Sequence, residues 1–245
     1  MTPRVLGRTA LAASLSLLLL LISLAASWFL FAKLNFLYPL WYEAVGIEAA
    51  IKTYGPRNAV KPGFERTNKA EQTRIFAALV DSIHDSGEGL EELTYEEPDG
   101  QTIDKLLTEA ELIHLRDVAA LVDTGKRVAT VSLILGLIVA GAMVVMGIPP
   151  PTMRHLGLGL LTVAVLGGAA LLVVGPVKLF YWLHTVIFPA DHQWFFYYEE
   201  SLMSMMMKAP ALFGPIAIEL IAGAIVIWLI ATAALRRLPG LIRKN

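Results

Sequence analysis

The strongest constraint on the fold of this chain is its four long apolar runs. A helix needs roughly 20 apolar residues to cross a membrane, and runs of about that length lie at 11–31, 128–148, 156–174 and 216–235. Hydrophobic residues make up 56% of the 245 positions, more than an ordinary soluble domain contains. The sequence therefore predicts an all-α membrane protein, built as a four-helix transmembrane bundle.

Basic residues at the ends of these runs predict the orientation of the bundle. Lys and Arg are enriched in cytoplasmic flanks, so both termini and the turn after the second run are expected in the cytoplasm. The segments 38–127 and 177–215 are then extracytoplasmic, and 38–127 holds seventeen Asp and Glu against ten Lys and Arg. The basic flanking residues are Arg4, Arg8, Arg154, Arg236, Arg237, Arg243 and Lys244.

Three basic residues depart from this pattern, because Lys33, Lys126 and Arg127 lie at the predicted outer ends of the first two spans. Long basic side chains can run along an apolar surface and place their charge beside lipid phosphates. We therefore expect these three residues to reach the headgroup layer.

The predicted organisation has seven parts. An alternative for the first span is a cleavable signal peptide, although its apolar run through Phe31 is longer than such peptides usually have. The parts are a tail with span one (1–37), an extracytoplasmic domain (38–127), span two (128–148), a cytoplasmic turn (149–155), span three (156–176), an aromatic interfacial segment (177–215), and span four with a cytoplasmic tail (216–245).

Local patterns predict three elements in the first extracytoplasmic segment. Apolar positions at helical spacing predict a helix that begins at Thr67 or Asn68 and continues to Ile83. Turn residues around 98–100 predict a short hairpin over 93–103. A capping box formed by Thr108 and Glu111 predicts a helix over 108–122, followed by a separate span two.

The segment 177–215 is rich in aromatic residues, which are common at membrane interfaces. Two interpretations stay open for it. One is an interfacial helix lying on the membrane. The other is an apolar floor that accommodates acyl chains beneath a reactive centre.

Glu111, His114 and Asp117 are three residues apart, so they would lie on neighbouring faces of a helix. Either carboxylate could orient the His114 ring and stabilise its charged form, as in a catalytic triad without the serine. An ordinary surface histidine on an exposed helix explains the spacing equally well.

His184 lies in an aromatic context close to Pro189, which is expected to end its helix. Asp191 and His192 would then sit on a turn that can fold back over that helix end. The alternative is a histidine bonded to lipid headgroups or to backbone. Together with His114, it could supply an acid and a base for one reaction.

Other chemistries have less support in the sequence. There is no cysteine, no Gly-x-Ser-x-Gly motif and no phosphate-binding glycine loop. His114, Asp117, His184, Asp191 and His192 are suitable metal ligands by type, but they lack a specific metal-binding spacing. We predict no metal, no cofactor and no nucleic-acid partner.

The two histidine motifs resemble those of the lipoprotein intramolecular transacylases, once a family of uncharacterised integral membrane proteins. The pattern Glu-x-x-His-x-x-Asp-Val occurs at 111–118. The family's second motif, a histidine followed by phenylalanine, aspartate and tryptophan, is matched by His184, Phe188, Asp191 and Trp194. Leu183 and Pro189 stand where the family usually has phenylalanine.

The resemblance implies an acyltransferase of the bacterial cytoplasmic membrane, with its active site on the outer face. Such an enzyme moves the sn-2 acyl chain of a diacylated lipoprotein from the glyceryl oxygen to the α-amine of the N-terminal cysteine, giving the lyso form. It also implies that His114 and His184 are catalytic, with Glu111, Asp117 and Asp191 in support.

Arg116, Trp194 and Tyr198 are secondary candidates for positioning the acyl chains, peptide or headgroup. Their alternatives are a surface charge and interfacial anchors. Two other functions stay open for the whole chain. One is a metal-dependent membrane acyl hydrolase, and the other is a non-catalytic membrane scaffold or accessory subunit.

Overall fold

The computed structural model describes residues 3–150, 165, 167–169 and 171–242. Most of the predicted turn 149–155 and of the predicted span 156–176 lies outside them. In these residues the α-helices are α1 Pro3–Lys33, α2 Tyr38–Ala44, α3 Ile47–Tyr54, α4 Lys69–His84, α5 Glu109–Val145, α6 Pro176–Ile187, α7 Leu202–Met206 and α8 Phe213–Ile242. Single 3-10 turns lie at Asn35–Leu37, Gly55–Arg57, Phe64–Arg66 and Leu90–Glu92, and two short strands are β1 Thr94–Glu96 and β2 Thr102–Lys105.

Three of these helices are long and apolar enough to cross a membrane. They contain the stretches Gly7–Lys33, Glu109–Val145 and Phe213–Arg237. A fourth candidate would join Gly167–Val174 to α6 across a break at residue 175. The predicted class is confirmed: the protein is a mostly helical, multi-pass membrane protein, with a hairpin-containing helical region between its first two spans.

The expectation of two separate helices between 108 and 148 was wrong, because α5 is one continuous helix of 37 residues. Residues 123–125 do not interrupt it. The Thr124 hydroxyl donates to the carbonyl of Ala120 on the same helix, and one interior glycine costs only about 1 kcal/mol of helix stability. The capping box and the second span therefore belong to the same helix.

The chain packs into two compact units. The spanning unit comprises the described residues of 1–30, 125–175 and 219–245. Within it, the Ser27 hydroxyl of α1 donates to the carbonyl of Leu220 on α8 over 2.8 Å. Leu15, Met143 and Ile148 form a buried apolar cluster. Helix α1 thus contacts both neighbouring helices of this unit.

The hairpin unit comprises residues 31–124 and 176–218. Asn68 caps α4 by accepting a hydrogen bond from the backbone N–H of Glu71, which confirms one of the two predicted caps. Strands β1 and β2 pair antiparallel, which confirms the predicted hairpin. Tyr38 is fully buried, stacks on Phe76 at 4.1 Å between ring centroids, and anchors this core.

The aromatic segment 177–215 is not one interfacial helix. Helix α6 ends at Ile187, before Pro189, and an irregular stretch leads to the five-residue helix α7. The methionines of α7, Met203, Met205 and Met206, are buried in the core of the hairpin unit. They therefore fill protein interior, and the structure does not offer them as a surface for acyl chains.

Candidate active site

His114 and His184 lie side by side in the hairpin unit, with ring centroids 6.1 Å apart. Helix α5 holds His114 one turn after its capped start, and α6 holds His184 one turn before its end. His114 is buried and His184 is partly buried. The fold therefore brings together two imidazoles that are far apart in the sequence.

Aromatic rings surround this histidine pair. Phe188 lies 4.8 Å from His114 and 5.2 Å from His184, measured between ring centroids. Trp194 lies 5.1 Å from His184, and Phe196 lies 6.1 Å from His114. The imidazoles thus lie against apolar walls, where electrostatic interactions are stronger than in water.

The two rings differ in their hydrogen bonding. His184 Nδ1 lies 2.8 Å from the carbonyl oxygen of Phe180. Because a carbonyl oxygen only accepts, Nδ1 carries the hydrogen, and Nε2 of the neutral ring has the free electron pair. His114 Nδ1 is buried and has no hydrogen-bond partner among the described residues. A buried polar atom of this kind requires an explanation, and a role towards substrate is one.

Glu111 does not orient His114, contrary to the expectation from spacing. Its carboxylate is fully buried and accepts hydrogen bonds from the backbone N–H and the hydroxyl of Thr108, at 2.7 and 2.8 Å. It also accepts one from the Ser201 hydroxyl at 2.5 Å. Ser201 in turn caps α7 by accepting from the Ser204 N–H. Glu111 therefore joins the start of α5 to the start of α7.

Asp117 is also bonded elsewhere, because its carboxylate accepts a hydrogen bond from His192 Nδ1 over 2.7 Å. This bond raises the pKa of the His192 imidazole, since the neighbouring carboxylate favours the charged ring. Asp191 is exposed beside it. The partner of Asp117 is thus His192, which the spacing of residues within α5 could not reveal. The sequence did predict that the turn with Asp191 and His192 folds back over the end of α6.

The secondary candidates divide between the site and its surroundings. Trp194 contacts the His184 ring, as described above. The Tyr198 hydroxyl donates to the carbonyl of Ala209 over 2.7 Å, so this side chain supports the loop fold. Arg116 forms an ion pair with Glu91 on an exposed surface. In this structure neither Tyr198 nor Arg116 contacts the histidine pair.

An open pocket of about 250 Å³ adjoins the pair and shares Phe188 with it. Asp117 and Thr124 of α5 and Pro189 of the following turn also line this pocket. Within the described part of the chain, no group of three or more His, Asp and Glu side chains is arranged to hold a metal ion.

The sequence did not single out three residues near the site. Phe180 and Phe196 contact the histidine rings, and Ser201 bonds to Glu111. Ser201 had a usable signal, because a serine directly before an apolar run is a common helix cap. Phe180 had one too, because it lies four residues before His184 and therefore on the same face of α6. Phe196 had none, and its contact with His114 depends on how the chain turns after α6.

Comparisons with known proteins match this chain to one family and to solved structures of the same fold. The model of the lipoprotein intramolecular transacylase Lit family matches residues 11–209. No curated protein sequence matches the chain. Three solved structures of the membrane integral lipoprotein intramolecular transacylase Lit from Bacillus cereus share the fold, two of them with one histidine replaced. A variant with arginine at that histidine has a TM-score of 0.67 at 13% identity, over 98% of this chain and 96% of the other. A second structure of the Bacillus cereus protein has a TM-score of 0.65 at 14% identity, over 98% of this chain and 99% of the other.

Proposed function

Because this chain belongs to the lipoprotein intramolecular transacylase family, a family of acyltransferases, we propose that His114 and His184 catalyse an O-to-N acyl shift. The substrate is a diacylated bacterial lipoprotein. Its sn-2 acyl chain leaves the glyceryl oxygen and joins the α-amine of the N-terminal cysteine. The product is the lyso-form lipoprotein.

The reaction needs no external nucleophile or co-reactant. The amine nitrogen attacks the ester carbonyl, a C–N bond forms, and the bond from the carbonyl carbon to the glyceryl oxygen breaks. One proton leaves the nitrogen and one proton reaches the oxygen, so the step is balanced. Amine and ester belong to one molecule, which removes much of the entropy cost of bringing them together.

His184 is the base in this proposal. Its Nδ1 donates to the Phe180 carbonyl, so Nε2 of the neutral ring can accept the amine proton. The same bond fixes the orientation of the ring, as a hydrogen bond from the other ring nitrogen does for many catalytic histidines. The distance of 2.8 Å between His184 Nδ1 and the Phe180 carbonyl oxygen supports this role. Neither Glu111 nor Asp117 is needed to orient the ring.

His114 is the acid, and it gives a proton to the glyceryl oxygen or stabilises the oxyanion that precedes it. The proton that His184 took from the amine then passes to His114, so both rings return to their starting states. The separation of 6.1 Å between the ring centroids is the observation that carries the proposal. At this separation both rings can form hydrogen bonds to neighbouring atoms of one ester group. The buried Nδ1 of His114, which has no hydrogen-bond partner in the described part of the chain, supports a position towards substrate.

The aromatic walls favour transfer over hydrolysis. Phe188 contacts both imidazoles, and Trp194 and Phe196 cover one ring each. Closely packed rings leave little room for water beside the ester, and excluding water suppresses side reactions. Acyl transfer to the tethered amine is then the favoured outcome.

The proposal also includes the membrane orientation predicted from the basic flanks. Both termini lie in the cytoplasm, and the hairpin unit with its histidines lies on the outer side, where lipidated N-termini are presented. The basic residues beside the spans, Arg4, Arg8, Arg154, Arg236 and Arg237, support this arrangement.

Mass spectrometry of a lipoprotein N-terminus tests the function directly. Cells that carry this chain should yield an N-acylated lyso lipoprotein, and cells without it should yield the diacylglyceryl form. His114→Gln and His184→Gln should each abolish the shift, whereas His84→Gln on α4 should retain it. Full activity in either site variant contradicts the mechanism.

The same experiment separates the two alternatives. Free fatty acid in place of an N-acyl product, with activity lost to a chelator, would indicate a metal-dependent hydrolase. An unchanged product from the His114→Gln, His184→Gln double variant would indicate a scaffold role.

A further inference from the structure

The loop that connects α6 to α7, residues 188–201, has no regular secondary structure and contacts both candidate catalytic histidines. The ring of Trp194 lies 5.1 Å from that of His184, and the buried ring of Phe196 lies 6.1 Å from that of His114. The position of this connecting loop therefore decides how closely aromatic side chains surround the reacting groups.

The two parts of the connecting loop are attached to the hairpin unit in different ways. In the second part, the carbonyl of Glu199 accepts a hydrogen bond from the backbone N–H of Ala59 over 2.9 Å. The first part, 189–197, forms one hydrogen bond to another element, from His192 Nδ1 to the carboxylate of Asp117 on α5. In the described structure, the remaining hydrogen bonds of 189–197 all join positions of the connecting loop itself.

This single bond links the helix of one histidine to the wall of the other. Asp117 lies three residues after His114 on α5, and His192 lies two residues before Trp194. Apolar ring contacts are non-directional and tolerate sliding of the loop, whereas a hydrogen bond fixes both a distance and an angle. The bond from His192 to Asp117 is therefore the contact that specifies where the loop lies over the two imidazoles.

We propose that His192 is a positioning residue, whose bond to Asp117 holds 189–197 over the histidine pair and so directs the reaction towards acyl transfer and away from hydrolysis. This inference rests on the proposed function. In hydrolysis, water attacks the ester carbonyl carbon, and the bond from that carbon to the glyceryl oxygen breaks. Water gives its oxygen and one hydrogen to the fatty acid, and its other hydrogen to the glyceryl oxygen. A loop released from Asp117 admits water beside the rings.

The ratio of two products tests this role. The full-length protein in nanodiscs is given a synthetic diacylated lipopeptide with a free N-terminal amine, in water that carries a heavy oxygen isotope. Mass spectrometry then separates the N-acyl lyso lipopeptide from isotope-labelled free fatty acid. His192→Ala should raise the ratio of fatty acid to N-acyl product about threefold or more, as expected when one partly exposed ion pair is lost.

Three further variants separate positioning from a general loss of structure. His192→Asn should restore the wild-type ratio, because the asparagine amide nitrogen is as many bonds from Cα as Nδ1 and can donate to Asp117. Gln193→Ala should keep the wild-type ratio, since that side chain bonds only to the carbonyl of Phe195 in the same loop. Asp117→Ala should raise the ratio as His192→Ala does, and the double variant should raise it no further.

A second measurement follows the loop without acyl transfer. The chain has no cysteine, so Phe196→Cys places a single thiol at a buried position beneath the loop. This thiol should react with a soluble maleimide about threefold faster or more when His192→Ala is added. Its rate should not change when Gln193→Ala is added instead.

The outcomes distinguish this inference from the proposed function. A wild-type protein that forms no N-acyl product contradicts the proposed function, and the effect on transfer is then wrong with it. N-acyl product from wild type with an unchanged ratio in His192→Ala contradicts the positioning role alone. Equal thiol rates after addition of His192→Ala and of Gln193→Ala also contradict it. If His192→Ala fails to fold in a thermal unfolding assay, the product ratio of Asp117→Ala decides.

Discussion

His192 donates a hydrogen bond from Nδ1 to the carboxylate of Asp117 over 2.7 Å, and this bond ties the loop after α6 to the helix that bears His114. Trp194 and Phe196 follow on the same loop and contact the two candidate catalytic rings. The carboxylate that was expected to orient His114 therefore holds one wall of the site instead.

This contact predicts a stability difference that depends on pH. The bond to Asp117 raises the pKa of His192 above its unfolded value of about 6.5. A raised pKa means that the stabilisation is fully present below about pH 6.5 and is lost as the pH rises through the higher folded value. His192→Gln should therefore unfold at a lower temperature than wild type in acid, and the gap should narrow towards about pH 8.5.

Thermal unfolding in detergent between about pH 5.5 and 8.5 measures the difference in unfolding temperature between wild type and His192→Gln. Asp117→Asn should remove the same pH dependence, whereas Asp191→Asn should leave most of it, since Asp191 is exposed and acts on His192 only through its charge. A gap between wild type and His192→Gln that stays constant with pH contradicts the assignment.

Glu111→Ala should destabilise the protein by about 2 kcal/mol or more, because it leaves the Thr108 and Ser201 donors without their buried acceptor. Glu109→Ala is the matched control, since it removes an exposed carboxylate from the same first turn of α5. The two unfolding midpoints should differ clearly. Equal midpoints would show that the buried carboxylate contributes nothing to stability.

Gly136→Leu should lower the unfolding temperature, because even a Cβ atom at this position would approach Ile22 Cδ1 to 3.3 Å. A leucine would force α1 and α5 apart, and overpacking of this kind costs about 1–3 kcal/mol. Among the described residues, no atom lies within 4 Å of a Cβ added at Gly141 on the same helix, so Gly141→Leu should be tolerated. Similar behaviour of both variants would argue against close contact at Gly136.

The chain has no cysteine, so single introduced cysteines can report its orientation. Gln101→Cys, on the exposed hairpin turn, should react with a membrane-impermeant maleimide added to spheroplasts. A cysteine in place of Asn245 should react only after lysis, because the proposal puts the C-terminus in the cytoplasm. The reverse pattern would contradict the orientation.

Sequence patterns predicted the structural elements that are determined by residues close together in the chain. The Asn68 cap and the hairpin of β1 and β2 were expected and are present. The continuity of α5 was not expected, because Asp123, Thr124 and Gly125 are weak helix formers when read alone. The helical segments before and after these three residues outweigh such local preferences.

The sequence by itself determined that this is a multi-pass helical membrane protein, because the free energy of placing a segment in lipid depends on its own run of apolar residues. It also singled out His114 and His184 through short local motifs. Only the tertiary structure decided which groups those motifs contact. Glu111 bonds to Ser201, 90 residues away, and Asp117 to His192, 75 residues away, because buried polar groups take whichever partners the packing of distant segments brings within hydrogen-bond distance.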